Sequence, residues 1–162
     1  MIDFLEPEIA HLNFEKYMQE ALIEADQAGL AGELPIGAIV VLDNEIIGRG
    51  QAYHRRLKSR LRHAELNAIL NCDQRILTEY KRVLLFTTVE PCPMCLGAAV
   101  MANIPHIIFA LHDQVVHSSL TVETNPYVRR NIKSYHGGVL ENESAAIIGR
   151  YMPAELAYIQ TG

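Results

Sequence analysis

The chain has 162 residues, of which 49% are hydrophobic and 20% charged, with a net charge of −5; this is the composition of a globular domain large enough to bury a real core without covalent staples. Its longest apolar runs, around residues 36–42 and 94–102, fall far short of the ~20 residues that a membrane-crossing helix needs, so no membrane partner is expected. Three cysteines, at 72, 92 and 95, and a start without the basic region of a secretory signal argue against a disulfide-built secreted fold and point to the reducing cytoplasm.

Apolar residues at 14, 17, 18, 21, 22 and 25 form a helical stripe that stops near Gly29 and Gly32. The run 36–42, the turn pair Asp43-Asn44 and the stretch 45–50 predict a hairpin. Leu66, Ile69 and Leu70 mark a helix within 61–72, residues 83–87 read as a buried strand, and a further helix opens at Pro91-Cys92-Pro93. Residues 106–111 form another strand, Val139-Leu140 a last edge strand, and Asn142 opens a helix interrupted at Pro153. No repeat or linker divides the chain, so residues 1–162 are expected to form a single domain. The alternation of strands and helices predicts an α/β protein, a three-layer α/β/α sandwich around a mixed or mostly parallel sheet.

Five of the 14 basic residues, Arg55, Arg56, Lys58, Arg60 and Arg62, fall within eight positions. Such a run is either a solvated loop or a local patch for phosphate or nucleic acid, on a chain too acidic to bind polyanions indiscriminately.

Topology brings two distant segments together. Helix, strand and helix with tight connections place both helices antiparallel to the strand between them, so their N-termini share the C-terminal edge of strand 83–87, where open α/β sheets hold ligands. One tip carries His63-Ala64-Glu65 and the other Pro91-Cys92-Pro93-Met94-Cys95. Two cysteines three apart in a first helical turn lean toward one point, and two helix dipoles favour thiolate there. Three cysteines cannot close a Cys₄ site, whereas one His and two Cys with a vacant fourth position suit catalytic zinc. Zinc carrying two thiolates acidifies water less than a three-histidine site does, so a base is needed close by. Glu65 is the candidate, reaching the centre because first-turn side chains fringe the helix end.

His63-Ala64-Glu65 with Pro91-Cys92-Pro93-Met94-Cys95 resembles the H-x-E…P-C-x-x-C signature of the cytidine deaminase-like superfamily. Glu33-Leu34-Pro35-Ile36-Gly37-Ala38 is similar to the opening of bacterial tRNA adenosine deaminases and fungal-type cytosine deaminases, and the likeness continues through Gly97-Ala98, Ser119-Leu120 and residues 138–141, about 14–152 in all. The superfamily also includes guanine deaminases. The resemblance implies a mixed sheet of about five strands, one zinc per chain held by His63, Cys92 and Cys95, and proton transfer by Glu65. It further implies base contacts from the main chain at Ala64 and near Glu90, and a homodimer. Two departures stand out: relatives usually carry Asn where this chain has Ala52, and often Asp-Pro-Thr where it has Ser59-Arg60-Leu61.

Among the remaining candidates, His54, His106, His112, His117 and His136 are read as strand, loop or surface positions rather than ligands, with a place in the cleft kept as the alternative for His54 and His117 alone. Cys72 is read as a small buried hydrophobe, and Met94 and Met101 as packing between helices. Tyr151 and Tyr158 either cap a pocket or belong to the core. The first functional expectation is a hydrolytic deaminase of a small nucleobase- or nucleoside-type amino-heterocycle; the second is deamination of adenosine in tRNA, favoured by the basic run. A non-catalytic zinc-stabilised interaction domain is the reading from another class, and the intact Glu65 argues against it.

Overall fold

Residues 3–162 are described by a computed structural model. Helix α1, Phe14–Leu30, is opened by Asn13, whose side chain accepts from the Lys16 N–H at 3.0 Å, and its apolar stripe buries Tyr17, Met18, Ala21 and Leu22. Strands β1, Gly37–Leu42, and β2, Glu45–Gln51, form the expected hairpin. Asp43 and Asn44 take φ of 49° and 68°, the left-handed pair that a two-residue turn between twisted strands requires.

Helix α2, Ala64–Leu70, is followed by two short 3₁₀ turns and strand β3, Val83–Val89. Helix α3, Pro93–Met101, leads to strand β4, His106–Leu111, and then come helices α4, Ser118–Thr124, and α5, Pro126–Asn131. Strand β5, Ser134–His136, and helices α6, Glu141–Tyr151, and α7, Pro153–Thr161, complete the chain. The sheet order is β2-β1-β3-β4-β5, with β1 antiparallel to β2 and β3, and β3, β4 and β5 parallel. This is the mixed five-stranded α/β sheet that was expected.

Strands β1, β3 and β4 are buried along their whole length because helices cover both faces, which is why they read as continuous apolar runs rather than alternating ones. On one face Val40, Leu85, Ile107 and Phe109 pack against Ala68, Leu96, Val100, Val122 and Val128 from α2 to α5. On the other, Ile39, Val41, Leu84, Phe86 and Ile108 pack against α1, with Ile147 of α6 at the edge.

Helix α2 lies almost on the backbone of β2. A Cβ on Gly50 would stand 2.2 Å from the Ala64 carbonyl oxygen, and one on Gly48 2.4 Å from that of Ala68. These contacts are to main chain, which has no rotamer by which to yield, so Gly50→Ala is expected to cost at least ~1–3 kcal/mol. Thermal unfolding checks this, at about 2–4 °C for each kcal/mol.

Several sequence expectations need correction. The edge strand is Ser134–His136, not Val139-Leu140: the Pro105 carbonyl accepts from both Lys133 N and Ser134 N and starts the pairing with β4. Past it, the left-handed Gly138 and Leu140, at φ of 83° and 56°, turn the chain into α6, while Val139 and Leu140 pack toward α1. The helices at the cleft start at Ala64 and Pro93, two or three residues later than read, because His63 and Cys92 are extended N-cap residues. Met101, the last residue of α3, is exposed rather than packed between helices. Helices α4 and α5 went unread within the polar stretch; Asn125 caps α5, its side chain accepting from Tyr127 N and Val128 N.

Candidate active site and metal centre

The N-caps of α2 and α3 are His63 and Cys92, and neither side chain is spent on capping its own helix. Both are left free to turn outward. His63 Nδ1 lies 3.6 Å from Cys92 Sγ, and one ligating atom each from His63, Cys92 and Cys95 all lie within 4.8 Å of one another. A tetrahedral zinc with bonds of about 2.0–2.3 Å spaces its ligand atoms roughly 3.5 Å apart, so this trio fits one such ion. The donors are one imidazole and two sulfurs, which suits zinc rather than magnesium or calcium.

The charge state of the pair fits as well. A hydrogen bond from Cys95, and then the His63 ring, pull the Cys92 thiol down to about 4 despite its partial burial. Cys95, donating to Cys92 and buried, is pushed far up. A thiolate beside a thiol that keeps its proton is a donor pair that a divalent ion would complete by favouring loss of that proton.

Glu65, in the first turn of α2, is 4% exposed, and burial lifts its carboxyl to about 7, against opposing pulls that include its own N–H, His63 and a hydrogen bond with Cys95. Two residues along a helix point to different sides, yet at the tip His63 and Glu65 both meet the sulfur pair. The His63 imidazole is held above its ordinary value by its bond to Cys92, in spite of burial.

His63, Ala64, Glu65 and Cys92 open onto a cleft of about 220 Å³. Leu34, Ile36, Ala52 and His54 line it from the hairpin side, Val89, Glu90, Asp113, Val115 and Val116 from the ends of β3 and β4, and Glu155, Tyr158 and Ile159 from α7. The cleft therefore sits at the carboxyl ends of the parallel strands, as topology predicted. Ile148 of α6 and Ile159 of α7 pack on Val89 and Leu111, which fixes the last helix over the opening.

The substrate-contact expectations fare unequally. Ala52, Ala64 and Glu90 all reach the cleft. Glu90, however, is largely committed to the protein: its N–H donates to the Leu111 carbonyl, and its carboxylate accepts from Asp113 N, Ser119 N and the Tyr135 hydroxyl at 2.8 Å. It braces the 113–119 loop that forms one wall. His54 is in the cleft, while His117 is exposed and does not line it. Tyr158 lines the opening, whereas Tyr151 lies over Gly29 and donates to Asp26.

Sequence reasoning missed Asp113, Glu155 and the anchoring role of Glu33. Asp113 lies two residues past the end of β4 at the ligand-binding edge, a signal that was present; Glu155 carried none. Glu33 is 3% exposed, and its carboxylate accepts from Arg55 N and Arg56 N at 2.9 and 2.6 Å. Burial alone would raise Glu33, but these two N–H bonds hold it below its ordinary value. The basic loop is thus tied down by its main chain while its side chains stay in water. Arg55, Arg56, Lys58, Arg60 and Arg62 are all exposed, and none enters an ion pair among the described residues. Arg49, Arg75, Arg82 and Arg150, by contrast, all pair with carboxylates.

Residues 12–111, which carry both helix tips, match the family described as the cytidine and deoxycytidylate deaminase zinc-binding region. The chain belongs to this family. Among curated relatives, a tRNA-specific adenosine deaminase of Streptococcus pyogenes serotype M18 is 41% identical over 103 residues, covering 60% of this chain and 62% of the relative. One from Bacillus subtilis is 37% identical over 100 residues, covering 61% and 62%. The chain thus spans about six tenths of the length of these curated relatives. A structure from a study of A-to-I editing by tRNA:A34 deaminases at the wobble position of transfer RNA superposes with a TM-score of 0.66 and 32% identity, covering 82% of this chain and 98% of that one. Guanine deaminase from Bacillus subtilis gives 0.57 and 31%, covering 70% and 71%. Guanine deaminase from Nitrosomonas europaea, at 18% identity and a TM-score of 0.69, shares the fold over 93% of this chain and 95% of that one. No described helix of this family member is long and apolar enough to cross a membrane.

Proposed function

We propose that this chain is a zinc-dependent hydrolytic deaminase that converts the exocyclic amine of a nucleobase- or nucleoside-type heterocycle to a carbonyl, consuming water and releasing ammonia. The observation that carries the reading is the convergence of His63, Cys92 and Cys95 on one point in a cleft that also contains the buried carboxyl of Glu65. In this proposal the three hold one zinc per chain. When bound, zinc lowers the pKa of water and supplies a nucleophile at neutral pH. Glu65 takes a proton from water, delivers it to the ring nitrogen and then assists the departing ammonia; a carboxyl lifted to about 7 by burial is poised to do both. Leu34, Ile36, Val89 and Ile159 provide apolar walls for a flat ring and keep bulk water away from it. The test is ammonia release by zinc-loaded protein from cytosine, cytidine, guanine and adenosine, and silence across the panel from protein with full zinc overturns the small-molecule reading.

A second reading, adenosine-to-inosine conversion in a tRNA anticodon loop, is favoured by the five unpaired cations beside the cleft and by the relatives named for that activity. Replacing Arg55, Arg56 and Lys58 together by Gln is then expected to weaken binding of an anticodon stem-loop by at least ~10-fold. It should also flatten the salt dependence by about two units of slope, since each phosphate contact to a single strand contributes roughly 0.7. Filter binding across a salt series measures both, and an unchanged slope removes RNA from the loop.

In the same reading, residues 1–162 act as one cytoplasmic deaminase domain that pairs as a homodimer. Leu70 and Met101, the ends of α2 and α3 on one sheet face, are 63% and 72% exposed and offer apolar surface for a second copy. Light scattering is expected to report twice the chain mass; a monomer at micromolar concentration contradicts it.

A further inference from the structure

The cleft of this chain lacks a polar side chain at position 52, where a methyl group faces in, and two residues further on it holds a polar atom with nothing to bond. Ala52 is 1% exposed, and its N–H is used by the Ile36 carbonyl. Four buried side-chain polar atoms have no hydrogen-bond partner among the described residues: His54 Nε2, Thr87 Oγ1, His112 Nδ1 and Ser118 Oγ. Of these residues only His54 lines the cleft. Of the acidic groups there, the Glu90 carboxylate is engaged by three donors, Asp113 by Val115 N and Val116 N, and Glu65 by Cys95, while Glu155 lines the cleft from α7. A buried nitrogen without a partner in a native fold calls for a reason, and in a cleft wall a bound ligand supplies one.

His54 is also held still. Its carbonyl accepts from Ser59 N at 3.0 Å, the loop is closed by Tyr53 N to the Arg62 carbonyl at 2.9 Å, and the next two N–H groups are fastened to Glu33. The ring stands edge-to-face on His63, with centroids 4.9 Å apart. A ring placed so close to the metal-binding imidazole and so restrained loses little freedom on making a contact.

We propose that His54 is a specificity-determining residue of this active site, its ring nitrogen hydrogen-bonding the polar edge of the heterocycle and so supplying the recognition that residue 52 cannot. The inference rests on the deaminase reading above. An imidazole offers one hydrogen bond in the plane of the substrate from this wall, where an amide offers a donor and an acceptor. The favoured substrate class is therefore a heterocycle presenting one nitrogen or oxygen toward His54, with the rest of its edge free of polar demands there.

The experiment uses zinc-loaded protein and its His54→Ala and His54→Gln variants, with cytosine, cytidine, guanine and adenosine as probes. Zinc stoichiometry, kcat and KM are measured, together with calorimetric binding of the same probes in the Glu65→Gln background, where turnover is suppressed. With zinc content unchanged, His54→Ala is expected to lower kcat/KM for the preferred heterocycle by about tenfold or more, the worth of one hydrogen bond to the substrate, mostly through KM. The order of preference among the four should change, binding in the Glu65→Gln background should weaken in parallel, and His54→Gln should recover part of the loss. Unchanged affinity and preference in His54→Ala, or a loss explained wholly by lost zinc, overturns the proposal while leaving the deaminase reading intact. If the unsubstituted protein neither binds nor deaminates any of the four, the small-molecule reading fails, and this inference with it.

Discussion

Glu65→Gln is expected to leave zinc bound at the same stoichiometry and to lower turnover by at least ~10²-fold, the usual worth of a placed acid or base. The carboxyl is not one of the three converging ligand atoms, and Gln keeps a polar group beside Cys95, so zinc should stay bound. Gln matches Glu in shape, and the position is 4% exposed, so packing is conserved while the proton carrier is lost. Burial holds the carboxyl at about 7, and a neutral amide in the same place imposes a smaller desolvation penalty, so stability should be equal or slightly higher. Elemental analysis, thermal unfolding and ammonia release on one preparation separate these effects. Retained turnover with full zinc would reassign proton transfer to another group in the cleft, Glu155 being the lining carboxyl that no backbone donor engages among the described residues.

Cys95→Ala acts on the other half of the site and should remove activity through the metal. Cys95 is fully buried, sits one helical turn from Cys92 and supplies one of the three converging ligand atoms, so its loss leaves two of the three. Zinc content is expected to fall well below one per chain, and turnover by more than ~10³-fold, because water at its ordinary pKa is a poor nucleophile at pH 7. Stability should follow. A ligand that binds only the folded state stabilises it by about 4 kcal/mol at a thousand times its Kd, so chelation should lower Tm of the unsubstituted protein and leave that of Cys95→Ala nearly unmoved. A variant that keeps one zinc per chain, or a Tm indifferent to chelator in the parent, would contradict the assignment of these ligands.

The two substitutions also separate roles at neighbouring atoms. One should abolish chemistry with the metal present, the other should abolish it by losing the metal, and only a site in which the carboxyl and the sulfurs converge produces both patterns.

Much of the sheet was legible because its central strands are sandwiched. Burial on both faces demands apolar side chains at every position, and the runs 36–42, 83–87 and 106–111 stood out for that reason. The hairpin was legible through Asp43-Asn44, whose side chains tolerate the left-handed backbone. Edge strand β5 was not, since three residues of pairing leave no periodicity, and the apolar pair Val139-Leu140 gave a stronger but misleading signal. Its hydrophobicity serves packing on α1 instead. The metal trio was readable in full, as its residue types are rare and their spacing is set by single helical turns. The walls were not: Asp113, Val115, Glu155 and Ile159 come from loops and helices whose approach depends on how α6 and α7 settle against β3 and β4.

What the sequence by itself determined was the chemistry: one imidazole, two thiols and a carboxyl, each within a first helical turn or at the cap before it, on segments whose order along the chain forces them to one sheet edge. Only the tertiary structure decided the recognition. Whether a methyl at 52 leaves a gap, whether a loop of five cations is tethered through Glu33, and whether His54 is left without a partner beside His63 depend on contacts between residues distant along the chain. Ligand spacing is local and is written in the helix repeat; the shape and polarity of a cleft are sums over many packed side chains, and no short segment contains them.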